Sequence, residues 1–135
     1  MDIRIAEHTD YKMLTEWWGF WRFPAPSIKA LPQYDLGKFN GVIASEGGKD
    51  LACGFMYTTN SNMVWIEFMV TNPKTTSEER NEAILSVLNE LSFSAKELGY
   101  SIAFSSIKNE NLINKYIGNG FSIGTRGTTE LIKIL

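Results

Sequence analysis

The chain has 135 residues, 44% of them hydrophobic and 21% charged. That is the size of one ordinary domain with enough apolar material for a core, which excludes an intrinsically disordered chain. The formal net charge of −2 argues against general nucleic-acid binding, where a basic footprint is expected.

No apolar run approaches a membrane span, so no membrane partner is expected. The start, Met1-Asp2-Ile3-Arg4, lacks the basic residues and apolar run of a secretory signal. The single cysteine, Cys53, excludes an internal disulfide and fits a reducing cytoplasm, the expected location. It lies in an apolar run, where packing is its expected role.

In chain order, Ile3 to Ala6 forms a short first strand. Thr9 or Asp10 caps the helix that follows. Tyr11, Leu14, Trp18 and Trp21 give that helix an apolar face, Trp17 widens it, and Gly19 weakens its last turns. From Arg22 to Phe39 the chain is irregular, because Pro24, Pro26 and Pro32 interrupt any long helix. A helical turn fits only around Ser27 to Leu31. The region is dense in aromatic rings: Trp17, Trp18, Phe20, Trp21, Phe23 and Tyr34. Such rings fill the core of a small domain. The alternative is a wall for an acceptor, and both roles are open to different rings.

Gly41 to Ser45 and Leu51 to Thr58 are strands joined by a charged turn containing Gly47-Gly48, a hairpin signal. After a turn at Thr59 to Asn62 comes the segment around which the rest is arranged. Val64 to Val70 is continuously apolar apart from Glu67, the pattern of a strand covered on both faces. A loop, Thr71 to Ser77, leads to a long helix with Ile84, Val87, Leu88, Leu91, Ala95 and Leu98 on one stripe and Gly99 as its stop. Tyr100 to Ile107 reads as a strand and Asn109 to Ile117 as a short helix, ended by Gly118-Asn119-Gly120. Phe121 to Gly124 and Thr128 to Ile134 form a last strand pair. The order describes a single α/β (α+β) domain without repeats, linkers or low-complexity segments.

A strand feeding a helix leaves the first N–H groups of that helix unpaired, a natural cradle for a pyrophosphate. Thr75, Thr76 and Ser77 would supply hydroxyls there, with Lys74 and Arg80 supplying charge. Against this, Thr76-Ser77-Glu78-Glu79 reads as a capping box that satisfies those same donors. Lys74, Glu78, Glu79 and Arg80 sum to zero charge, so charge does not decide between the two. His8 stands alone with no second His or Cys for a Cys/His cluster, and no metal site is expected. Neither a Gly-x-Ser-x-Gly motif nor a phosphate loop with Gly-Lys-Ser/Thr is present.

Asn109, Tyr116, Gly120 and Phe121 lie in Asn-Glu-Asn-Leu-Ile-Asn-Lys-Tyr-Ile-Gly-Asn-Gly-Phe. This resembles the C-terminal signature of the GNAT superfamily of acetyltransferases, with Leu112 in place of the usual small residue. The order of elements is similar to that family along nearly the whole chain. The Trp-rich first helix, Leu31-Pro32 and Val70-Thr71-Asn72-Pro73 look most like its small phage-encoded members. The resemblance implies the acyl-CoA N-acyltransferase fold over residues 1–135: a mixed, mostly antiparallel sheet of six to seven strands with helices on both faces. It also implies acetyl-CoA as co-substrate. The family's Arg/Gln-x-x-Gly-x-Gly/Ala loop, which holds the diphosphate, is missing; Thr76, Glu79 and Asn81 stand at its three defining positions. Glycine permits close approach of backbone to phosphate, whereas glutamate adds bulk and like charge.

Acyl transfer to an amine needs a base for the ammonium proton and a donor for the departing thiolate. Glu67 is the candidate base, since burial in an apolar strand raises its pKa; the alternative is a structural ion pair or a place near an open strand edge. Tyr116 is the candidate partner of the thiolate, acting through a hydrogen bond, or else a ring packed under the last strands. Asn109 would bond the pantetheine arm or a bridging water, and is also placed to cap the short helix. The resemblance implies that Met69 and Val70 offer backbone groups to the pantetheine and thioester if the strand splays there. Trp17, Trp18, Trp21, Phe23 and Tyr34 are the candidate acceptor wall. The expected activity is N-acetyl transfer to a small-molecule or peptide amine, with a homodimer left open. The rival is a catalytically silent protein of the same fold that binds a partner protein.

Overall fold

A computed structural model describes residues 1–135. β1 (Asp2–Glu7) leads through one tight helical turn (His8–Asp10) into α1 (Tyr11–Phe20). β2 (Gln33–Asp35), β3 (Lys38–Glu46), β4 (Lys49–Thr58) and β5 (Met63–Thr71) follow. Then come α2 (Ser77–Glu97), β6 (Ile102–Phe104) and α3 (Glu110–Gly118). The six-stranded sheet runs β1-β3-β4-β5-β6, with β2 on the margin of β3. All pairings are antiparallel except β5 with β6, whose crossover is α2.

The β3–β4 hairpin closes through Gly47 and Gly48, with φ of 59° and 81°. Two positive φ values in succession are what a primed two-residue turn requires. Two cores lie on the two faces of the sheet. Ile84, Val87, Leu88 and Leu91 of α2 pack on Leu51, Met56, Val64 and Ile66. Leu14, Trp17 and Trp18 of α1 pack with Phe39, Ile43, Cys53 and Phe55 on the other side. Cys53 is fully buried, and burial pushes its thiol pKa up, so it is a packing residue.

Several expectations are corrected. Asp10 does not cap α1; its carboxylate accepts the Glu7 N–H at 2.8 Å and a bidentate pair of bonds from Arg4. The segment 100–107 forms only a three-residue strand. Leu98 is exposed, because α2 ends one residue earlier and Gly99 turns the chain with φ of 94°. The last strand pair does not form: residues 121–135 carry no strand, and Leu131, Ile132, Ile134 and Leu135 face solvent. Strand propensity needs a neighbouring strand to become a strand. Instead, Arg126 is drawn to Glu110 at 2.9 Å, and Glu130 accepts the Ser106 hydroxyl at 3.4 Å.

Candidate active site

The site is organised by an irregularity in β5. Cys53 pairs with Val70 and Phe55 with Glu67, so Phe68 and Met69 stand against the single residue Gly54. This is a β-bulge. Phe68 sits there at φ +58°, a left-handed conformation that costs a non-glycine residue about 1–3 kcal/mol. Gly54 makes room for it. A Cβ at that position would come within 2.8 Å of Val87 Cγ1 and 3.1 Å of Met69 Cε.

The other margin of β5 opens. β6 pairs with it only from Met63↔Ile102 to Trp65↔Phe104. The Ser105 hydroxyl donates to the Ile66 carbonyl at 2.7 Å, and the strands then part while β5 continues to Thr71. The backbone from Glu67 to Val70 therefore has no strand partner on that side, at the positions where Met69 and Val70 were expected to present it.

Glu67 lies at this opening. Its Oε2 accepts the Trp65 indole N–H at 2.7 Å, and the backbone N–H groups of Phe68 and Ser106 favour its charged form. Burial raises its pKa, outweighing those N–H groups, and Glu130 adds to the rise. It takes part in none of the protein's ion pairs. Tyr57 senses the same charge. Burial first, and Glu67 second, push its phenol up to about 12.

Tyr116 projects from α3 and is 3% exposed, its ring 5.0 Å from that of Phe121. Burial, then the charge of Glu67, raises its pKa, so the phenol stays protonated at any ordinary pH. The glycine turn after α3 fixes this packing: Phe121 N–H donates to the Tyr116 carbonyl at 3.1 Å and Gly120 has φ of 105°. Asn109 caps α3, its Oδ1 accepting the Leu112 N–H at 3.0 Å.

At the N-terminus of α2 the capping box is formed. Thr76 N–H donates to Glu79 Oε1 at 2.8 Å and Glu79 N–H to Thr76 Oγ1 at 3.1 Å. The Thr75 hydroxyl donates to the Asn72 carbonyl, and Lys74 N–H to Asn72 Oδ1. Arg80 donates to the Thr75 carbonyl at 2.6 Å and lies over the Trp21 ring, 5.5 Å from its centroid. The N–H groups of Ser77 and Glu78, the first two in the helix, lie outside the box. The loop is therefore largely self-satisfied, with the exposed Glu78 and the half-buried Glu79 at its rim.

The aromatic wall is redrawn. Trp17 and Trp18 are 5% and 1% exposed and belong to the core, which withdraws them from any binding surface. The Trp18 indole N–H is buried without a hydrogen-bond partner. Trp21 anchors the mouth of α2, donating to the Thr71 carbonyl at 2.9 Å. Tyr34 sits on β2, separated from β5 by β3 and β4. Phe23 alone stays near the bulge, its ring 6.4 Å from Phe68.

The rings that do stand beside Glu67 are Tyr57 and Trp65, with Phe104 next to Trp65. Sequence reasoning missed them. The available signal was parity: Trp65 and Glu67 share one face of β5, opposite the buried Val64 and Ile66. That face is not covered, contrary to the expectation of a strand buried on both sides.

No family model matches the sequence, and no curated protein matches it. Solved structures do match it. A protein from Thermus thermophilus is 16% identical, covers 100% of this chain and 98% of its own, and superposes with a TM-score of 0.67. The ribosomal-protein alanine N-acetyltransferase of Escherichia coli is 17% identical, covering 92% of this chain and 79% of its own, with a TM-score of 0.70. A Mycobacterium tuberculosis protein solved in complex with CoA is 18% identical, covering 95% of this chain and 76% of its own, with a TM-score of 0.65. The chain has the fold of the GNAT acetyltransferases.

Proposed function

We propose that the protein is an N-acetyltransferase that moves an acetyl group from acetyl-CoA to a primary amine. One observation carries this reading: β5 bulges and parts from β6 beside a carboxylate with a raised pKa and no counter-ion. The solved neighbours with bound CoA and with amine acceptors support it. The co-substrate would supply an activated acetyl thioester. The open backbone of Met69 and Val70 would hold its pantetheine arm, with Asn109 nearby. The N–H groups of Ser77 and Glu78, with Lys74, Thr75, Thr76 and Arg80, would face the diphosphate once the Glu79 carboxylate swings aside.

Glu67 takes the proton from the acceptor ammonium, leaving a neutral amine able to attack. Its raised pKa makes it a better base than an ordinary glutamate. Tyr116, protonated throughout, offers its hydroxyl to the sulfur as negative charge develops there. A full proton transfer would run uphill, since a free phenol has a pKa near 10 and a thiol near 8.5. The hydrogen bond is therefore the working contribution.

The test is a thiol-release assay with a panel of amines. Glu67→Gln is expected to lower turnover by about 10²–10⁴-fold with CoA affinity intact, the range for a general base. Tyr116→Phe should slow transfer without weakening binding; unchanged turnover would remove the phenol from the mechanism. The formed capping box favours a second reading, a non-catalytic partner-binding protein of this fold. Absence of any thiol release across the panel would select it.

A further inference from the structure

Tyr57 of β4 pairs directly with Trp65 of β5, and Trp65 pairs directly with Phe104 of β6. Directly paired residues project from the same face of a sheet. The three rings thus form one row across three adjacent strands. Trp65 and Phe104 meet edge to face at 5.1 Å, and both are nearly half exposed, 43% and 46%. A cleft of about 260 Å³, lined by Thr59, Ser61, Met63, Val64, Trp65 and Phe104, opens beside the latter two rings. Glu67, two residues along β5 on the same face, flanks the middle of the row, and its carboxylate is bonded to the Trp65 indole.

We propose that this row and Glu67 form the acceptor subsite, and that its ligand is a singly charged primary alkylammonium with an aryl or branched apolar body. The proposal rests on the transferase reading for its role in the reaction, but the binding site stands on the geometry alone. Trp65 and Phe104 offer exposed ring surface, which attracts cations and apolar groups alike. The Tyr57 hydroxyl already donates to the Ala30 carbonyl at 2.7 Å, so this residue presents its ring rather than a polar tip. Glu67 accepts the Trp65 indole N–H yet pairs with no cation. A carboxylate has room for roughly four bonds, so its second oxygen remains open to an ammonium. Glu130 adds negative potential at the same place. Acceptors bearing their own carboxylate are therefore repelled. Polyamines would find too few acids along an apolar row.

The test follows the indole N–H signals of the four tryptophans by NMR during titration with phenethylamine. Trp65 is identified through Trp65→Phe, and the buried Trp18 reports an intact fold. The expected result is a saturable shift of the Trp65 signal, with none from 3-phenylpropionate or phenethyl alcohol. Glu67→Gln keeps the acceptor for the indole and removes the charge; it should weaken binding by about tenfold or more, as should Phe104→Ala. A Trp65 signal unmoved by phenethylamine, preference for spermidine, or variants that bind like the wild type would overturn the proposal. Binding at Trp65 without any acetyl transfer supports the subsite and refutes the enzyme. Transfer to amines that leave Trp65 silent supports the enzyme and refutes the subsite.

Discussion

Glu67 links the stability of the molecule to its chemistry, and the two respond to pH in opposite directions. Burial raises its folded-state pKa above the unfolded value of about 4.3. The folded protein thus holds the proton more tightly, and stability falls as pH rises from the unfolded pKa through the folded one. Above that window the cost of a buried carboxylate is fully present. Glu67→Gln is therefore expected to raise the Tm at neutral pH and to leave it nearly unchanged well below the unfolded pKa, as read by thermal scans at both pH values. In the proposed reaction the carboxylate is the base, so the acidic limb of kcat/KM should lie above the ordinary glutamate range. Glu67 stood out in the sequence as the single ionisable residue of an apolar strand. Its surroundings were not. The neighbours Tyr57, Phe104 and Ser106 lie far away in sequence and meet it only through sheet register.

At the scale of elements, local signals succeeded and long-range ones failed. The capping box of α2 and the Asn109 cap of α3 need only four consecutive residues each, and both form as written in the chain. The glycine turn of the hairpin is equally local. The closing strand pair depended on a partner that sequence could not supply, and it is absent. The bulge is also a long-range feature, fixed by packing of β5 and α2 over Gly54. Gly54→Ala is expected to destabilise by about 1–3 kcal/mol through overpacking, measured by denaturant unfolding. It should also disturb the Met69 backbone. A neutral change in stability would mean that the bulge does not depend on this close approach.

At the scale of the molecule, two cores clamp the sheet and leave one region unsupported, the opening between β5 and β6. The fold was readable because its order of elements is sequential and its helices carry clear apolar stripes. The function was less readable, because the N-terminal end of α2 is written in acidic residues. Its half-buried Glu79 bonds the Thr76 N–H and lies 3.8 Å from Lys49, and the Thr76 N–H bond leads the causes that lower its pKa. The central claim is that this end still accepts CoA when the box opens. A calorimetric titration with CoA of the wild type and of Glu79→Gln decides it, since glutamine preserves the box but removes the charge beside a diphosphate. The account predicts saturable micromolar binding by the wild type, a Tm that rises with ligand, and tighter binding by the variant. No heat and no Tm shift from either protein at millimolar CoA would contradict it.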